Sequence, residues 1–322
     1  MKKLLLLALI LAVSAASSPA VAEPGGSVFV SILPQKYFLQ KVGGELVDVN
    51  VMVSPGSSPA TYEPSPRQMA ELAGTKAYFA VGVPFEKHWL PRIASANPHM
   101  PVIHTDDGID KMPIGAHEHH HHDGEAGQAD EHGREGHGHA EHEHEGEAHD
   151  EHHQGMPDPH IWLAPELVRI QAKNMHDGLV RIDPENTETY AANLASFIHE
   201  IDRLNHEIKK ILAPLEDGQR TFMVFHPTWG YFARQYGLKQ IAIESGGKEP
   251  GPGKLAEIIK LGRESGIKTV FVQPQFSQKS AGVIARELDA EVVTLDPLSP
   301  DWDDNLIKAA KAIREAALKS GN

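Results

Sequence analysis

The sequence predicts an α/β protein made of two β/α lobes with parallel sheets, joined by one long rigid helix. Short β-branched apolar runs alternate with amphipathic helical patterns in both halves of the chain. Between the halves, Tyr190, Leu194, Phe197, Ile201, Leu204, Ile208 and Ile211 recur at spacings of three and four, the signature of one sustained apolar helix face. The chain has 322 residues, 40% of them hydrophobic, which is enough for two ordinary cores.

The elements follow in order. Lys2 and Lys3 precede the apolar run 4–13, and small residues end in Ala20-Val21-Ala22. A basic start, a short apolar run and an A-x-A site read as a cleavable signal peptide over 1–22. The run is too short to span a membrane, which takes about 20 residues. The expectation is an exported protein, with the periplasm as its compartment. In the first lobe, 23–183, strands are expected at 27–33, 47–53, 77–83 and 101–104. Helices are expected at 34–42, 66–73, 85–96 and 164–182. Ser65 and Pro66 supply a cap and a first-turn proline for the second of these. The interlobe helix over 184–214 would be about 45 Å long at ~1.5 Å per residue. Such a rod suits a spine along both lobes; pairing with a second chain is the other use of its seam. In the second lobe, 215–322, strands are expected at 221–225, 240–243, 269–273 and 291–295. Helices are expected at 228–236, 253–265, 278–288 and 302–318.

One segment breaks the alternation. Residues 117–153 hold 13 of the 21 His and 12 carboxylates, and no large apolar residue. They form no core, so the reading is a mobile insertion in the first lobe that captures or buffers metal, with a solvated spacer as the plainer alternative. His117-Glu118-His119-His120-His121 matches the H-E-x-x-H string of zinc proteases. That motif needs a stable helix to align its two imidazoles, and low-complexity surroundings do not provide one. The chain carries a net charge of −14, which argues against a nucleic-acid partner. It has no Cys, hence no thiolate metal site and no cysteine nucleophile.

In parallel sheets, ligands collect beyond the carboxyl ends of strands. His226 directly follows TFMVF and Asp296 directly follows VVTL, both in the second lobe. His160 sits in the proline-braced turn Asp158-Pro159-His160-Ile161-Trp162 of the first. Two imidazoles and a carboxylate meeting in the interlobe cleft would suit a borderline divalent ion such as Zn²⁺. Trp162, Trp229 and Tyr231 are expected to wall that cleft, with plain core as the alternative for each, and Glu244 and Glu249 to be structural. His88, His176, His199 and His206 lie in helical patterns and are expected to face solvent.

Several stretches also carry a family resemblance. These are Tyr62-Glu63-Pro64-Ser65-Pro66, Asp158-Pro159-His160-Ile161-Trp162-Leu163, Phe225-His226-Pro227-Thr228-Trp229-Gly230-Tyr231-Phe232-Ala233, Gly247-Lys248-Glu249-Pro250, Pro274-Gln275-Phe276-Ser277 and Leu295-Asp296-Pro297-Leu298. In order and across nearly the whole mature chain, they resemble the periplasmic receptors of zinc and manganese ABC importers, and most of all the ZnuA-type zinc branch of the cluster A-I family. The resemblance implies a zinc receptor, not an enzyme, a monomer aside from its contact with a membrane permease, and His160, His226 and Asp296 as metal ligands. Manganese or ferrous iron is the alternative cargo; a periplasmic zinc hydrolase is the alternative from another class. The family's first-lobe motif usually reads Asp-Pro-His-x-Tyr-Glu-Pro. Here Ala60 stands where the His belongs. A methyl group binds no metal, so the fourth ligand falls to water, Glu63, His104 or a His of 117–153.

Overall fold

The computed structural model describes residues 26–115, 156–244, 247–276 and 278–320. The segment 1–22 read as a signal peptide, the His-rich tract 117–153 and Ser277 lie outside these residues. Two four-stranded parallel sheets form the frame. The first contains β1 (Ser27–Val30), β2 (Asp48–Val51), β3 (Tyr78–Ala80) and β4 (Val102–His104), in the order β2-β1-β3-β4. The second contains β5 (Thr221–Val224), β6 (Lys239–Ala242), β7 (Thr269–Val272) and β8 (Glu291–Thr294), in the order β6-β5-β7-β8. The two lobes therefore repeat one topology.

In the first lobe the helices are α1 (Leu33–Gly43), α2 (Pro66–Glu71), α3 (Pro84–Ala96) and α4 (Pro165–Ile182). β1 stops at Val30, short of the expected end. The next two backbone N–H groups, of Ser31 and Ile32, donate to the Gln35 side chain at 3.0 and 3.3 Å rather than to a neighbouring strand. Gln35 is fully buried and its amide donates in turn to Phe79 O and Thr105 Oγ1. The expected cap of α2 forms: Ser65 Oγ accepts from Gln68 N, and the Gln68 side chain accepts from Ser65 N, so two otherwise orphaned groups are satisfied together.

The linking helix α5 is Thr187–Leu212, 26 residues and about 39 Å at ~1.5 Å each. It starts one turn later than the pattern predicts because Asp183 leaves helical geometry (φ −149°) and 184–186 wind as a 3₁₀ turn. Its seam is buried on α1 and α4 of the first lobe and on α9 (Trp302–Ser320) of the second, so the apolar face is consumed within one chain. The remaining second-lobe helices are α6 (Gly230–Tyr236), α7 (Pro252–Glu264) and α8 (Gln278–Leu288). α6 ends at Gly237, whose positive φ of 64° closes the helix with an N–H to Ala233 O; glycine takes this conformation without Cβ strain.

One apolar core runs from the first sheet through α5 to the inner side of the second sheet. A smaller cluster, including Met223, Ile241, Val270 and Ile284, fills the space under α7 and α8. Trp302 ties the lobes together. Its ring meets Phe38 edge-on at 4.9 Å, and its Nε1–H donates to Trp162 O at 2.7 Å. Trp162 Nε1–H donates to Pro297 O, also at 2.7 Å, in the opposite direction across the lobes. The points where the chain leaves and re-enters the first lobe around the His-rich tract are also joined. Pro113 and Pro157 form an antiparallel bridge, Ile114 N donates to Met156 O, and Asp158 N donates to Met112 O at 2.7 Å. Among the described residues, no helix is long and apolar enough to cross a membrane.

Candidate metal centre

His226 lies just past the end of β5. The side chain of Gln273, past the end of β7, clamps its backbone: His226 N donates to Gln273 Oε1 at 3.2 Å and Gln273 Nε2 donates to His226 O at 2.9 Å. The N–H groups of Thr228 and Trp229 are taken by His226 O and Gln240 Oε1, and α6 begins at Gly230, after Trp229 at φ −93° and ψ 17°, not at 228. His160 comes from the first lobe, immediately before the 3₁₀ turn Ile161–Leu163, on the turn that Pro159 stiffens. The two imidazoles stand 5.5 Å apart between ring centroids, with planes inclined at 76°.

Each ring is oriented by a buried carboxylate. His160 Nδ1 lies 2.6 Å from Asp158 Oδ1, which also accepts the His160 backbone N–H at 2.9 Å. His226 Nδ1 lies 2.9 Å from Glu244 Oε2. A carboxylate only accepts, so Nδ1 carries a proton in both rings, and a neutral ring held this way keeps its lone pair on Nε2. This carboxylate–imidazole arrangement is the one that presents histidines to metals. Around it, Phe276 stacks on His226 at 4.7 Å and Trp162 meets His160 edge-on at 5.2 Å. The Tyr231 hydroxyl accepts Met112 N and donates to Asp158 O, so a second-lobe residue braces the turn that carries His160. Burial, with the Asp158 charge adding to it, pushes the Tyr231 phenol up to about 12, which keeps it a neutral donor.

Asp296 is placed differently. Its Oδ1 accepts from Gln275 Nε2 and from Leu298 N, both at 2.9 Å. β5 and β8 are separated by β7, so the backbones carrying His226 and Asp296 are two strand spacings apart, about 9.6 Å at ~4.8 Å each. Among the described residues, no three His, Cys, Asp or Glu side chains stand together as a ready metal cage. Asp296 does line a cavity of about 160 Å³ between the lobes, facing Ile32, Val53 and Ser54 of the first and beside Gln275 and Leu298 of the second. Phe276, which stacks on His226, is next in sequence to Gln275 of this cavity, and Trp162, edge-on to His160, donates to Pro297 O, next to Leu298.

Other sequence candidates are set apart from the pair. Ala60 and Glu63 are exposed. The His104 side chain is half exposed at the end of edge strand β4, beside Asp106 at 3.8 Å. Trp229 is fully buried against Phe232 and belongs to the core rather than to the cleft wall. His88, His199 and His206 are exposed as expected; His176 is not, its ring being largely covered and its Nδ1 lying 2.9 Å from Asp177. Sequence reasoning passed over Asp158 as a partner and took Glu244 for a structural residue. A signal for Glu244 existed: Val224 pairs with Ala242, so His226 and Glu244 occupy matching positions past adjacent parallel strands.

This fold, two like-wound lobes fixed on one helix with polar groups gathered between them, is that of a two-lobed metal-binding receptor. The profile of the family described as "ZnuA: Zinc-uptake complex component A periplasmic" matches residues 28–316, and the chain belongs to that family. It is 27% identical over 284 residues to the zinc-binding protein AdcA of Streptococcus pyogenes serotype M3, covering 86% of this chain and 51% of the relative. The chain thus spans about half the length of that relative. It is 27% identical over 275 residues to the high-affinity zinc uptake system protein ZnuA of Bacillus subtilis, covering 84% of this chain and 78% of that protein. A crystal structure of ZnuA superposes with a TM-score of 0.76 at 39% identity, covering 91% of this chain and 99% of that one. A 138–173 deletion mutant of ZnuA with zinc bound superposes at 0.75 and 40% identity, covering 90% of this chain and 97% of that one.

Proposed function

We propose that this chain is an extracytoplasmic zinc receptor, not an enzyme, that captures Zn²⁺ between its lobes and passes it to the permease of an ABC importer. His160 and His226 bind through Nε2, and Asp296 supplies the carboxylate as its side chain turns from the cavity wall toward the ion. Water takes the fourth place, because Ala60 has no donor and Glu63 and His104 are turned to solvent. The observation that carries this reading is the spacing of the two rings. A tetrahedral ion with Zn–N bonds of ~2.0–2.1 Å sets the centroids of two Nε2-bound imidazoles about 5.3 Å apart. The rings here are 5.5 Å apart before any metal is considered. Relatives named for zinc binding and zinc uptake support the same cargo.

Competition against a chromophoric zinc chelator tests the reading. His160→Ala and His226→Ala are each expected to weaken zinc binding at the cleft by at least tenfold, and Asp296→Ala by less. Deleting 117–153 is expected to leave the cleft affinity unchanged. A double His160→Ala, His226→Ala variant that still holds one zinc with undiminished affinity, in the deletion background, would overturn the assignment. Delivery is tested separately, by growth of a deletion strain under zinc limitation and its restoration by added zinc.

A further inference from the structure

We infer that Glu86 is a built-in ligand of the first lobe and a positioning residue for the metal cleft: its carboxylate fills the crevice at that lobe's strand ends and thereby fixes the wall that faces Asp296. The positioning part rests on the zinc reading above. In each sheet the strand order reverses once, between β1 and β3 in the first lobe and between β5 and β7 in the second. The reversal leaves a crevice past the carboxyl ends of those two strands, where such sheets take ligands. In the second lobe His226 and Gln273 stand there. In the first lobe the matching place is filled from within, by Glu86 on the first turn of α3. Glu86 is 2% exposed. Its Oε1 accepts from Ser31 Oγ, just past β1, and from Val81 N at 3.0 Å, just past β3. Its Oε2 accepts from Gly82 N at 2.7 Å. The Tyr78 hydroxyl bonds with Ser31 Oγ at 2.8 Å behind them. Two successive backbone N–H groups and a hydroxyl converging on one carboxylate are the parts of an anion cradle. Gly82 suits the turn, since its φ is 84° and a Cβ there would strike Lys111 Nζ.

The cradle is joined to the cleft along three routes. Ile32 and Leu33 follow Ser31 and line the interlobe cavity that Asp296 also lines. Ser54, Pro55 and Gly56 line it as well, at the start of a loop that α3 holds: Phe85 N donates to Pro59 O at 3.1 Å, and the Phe85 ring meets Tyr62 edge-on at 5.7 Å. Val81 O accepts from Lys111 Nζ at 3.2 Å, and Met112, the next residue, accepts the Asp158 N–H two residues before His160. Removing the carboxylate leaves three buried donors unpaired where these routes meet, and their pairing with anything else requires the strand ends to move. The crevice filled by Glu86 also accounts for where the first lobe finds its imidazole. His160 comes from the turn before α4 and not from the ends of β1 or β3, because that place is taken.

Chemical rescue tests this. Glu86→Ala empties the cradle, and its zinc affinity in chelator competition is expected to fall about 2- to 30-fold, the span that remote supporting contacts command. Excess formate, the smallest carboxylate, is expected to raise the thermal unfolding temperature of this variant and to restore its zinc affinity, as a ligand of the folded state does. Sodium chloride at the same ionic strength is expected to do neither. Wild type and Glu86→Gln, whose cradles are filled, are expected to ignore formate. Ile93→Ala, a buried truncation on the same helix, measures destabilisation alone and should bind zinc as wild type does. A Glu86→Ala chain that folds only with formate supports the inference; one that formate neither stabilises nor restores overturns it. So does an Ile93→Ala protein that loses as much zinc affinity as Glu86→Ala. If Glu86→Ala binds zinc as wild type does while His226→Ala is weakened, the inference is overturned and the zinc reading stands. If His226→Ala binds as wild type, the zinc reading has failed and the positioning role falls with it.

Discussion

Trp302 is where the two lobes are most directly coupled, and its removal should be felt twice. The side chain is 2% exposed and contacts Phe38, Tyr37 and Phe197, all from the first lobe or the linking helix. Truncating a buried Trp to Ala costs about 3–5 kcal/mol through lost transfer energy and the cavity left behind. The Nε1–H bond to Trp162 O is lost as well, and an orphaned buried carbonyl adds about 1–3 kcal/mol. The expected loss is therefore about 4–8 kcal/mol, a large share of the ~5–15 kcal/mol of a typical domain. Trp302→Phe separates the parts, since it keeps a ring against Phe38 and discards the donor; about 1–3 kcal/mol is expected. Urea unfolding followed by both far-ultraviolet circular dichroism and fluorescence measures these values. Zinc affinity should also drop in Trp302→Ala, because Trp162 both receives this bond and rests edge-on against His160. Ile313→Ala, a buried truncation elsewhere on α9, is the control and should spare zinc binding. The coupling argument is refuted if Trp302→Ala loses less than about 2 kcal/mol, or if Ile313→Ala weakens zinc as much as it does.

Three further outcomes are expected. Ala60→His should restore a first-lobe donor and raise zinc affinity by about tenfold or more, whereas Glu63→Ala and His104→Ala should change it less than twofold; chelator competition measures all three. Gln35→Leu should destabilise by about 2–4 kcal/mol in urea unfolding, since it leaves Ser31 N, Phe79 O and Thr105 Oγ1 without their buried partner. Glu86, 2% exposed, has its carboxyl raised by burial, partly offset by bonds from Ser31, Val81 N and Gly82 N. An acid held above its unfolded value favours the fold below the unfolded pKa of about 4.5 and loses that contribution as pH rises through the folded value. Stability of wild type relative to Glu86→Gln should thus be greatest at acid pH and decline upward; a pH-independent difference would contradict the shift.

The order of strands and helices was legible because each element carries its own periodicity. Element ends were not, because they depend on partners elsewhere in the chain. The run SVFVSIL reads as one strand, yet Gln35 intercepts the backbone after Val30. The helical reading from 228 starts too early: Thr228 N bonds back to His226 O in a tight turn, and α6 follows from Gly230. At the site, His160 and His226 stood out by place, one after a Pro-stiffened turn and one after a strand. What the linear sequence does not carry is the sheet order. That order brings Glu244 beside His226 and inserts β7 between β5 and β8, so the backbones carrying His226 and Asp296 stand two strand spacings apart.

The knot at Met112, Pro113, Pro157 and Asp158, braced from the far lobe by Tyr231, makes the interval between 115 and 156 a splice point. Both cut ends are tied down by contacts that owe nothing to what is spliced between them. Doubling an inserted length there adds only about 0.6 kcal/mol of closure entropy. Sequence at this position is free to lengthen, shrink or be exchanged across evolutionary time, or to be swapped for a reporter peptide, while the imidazole a few residues downstream keeps its aim.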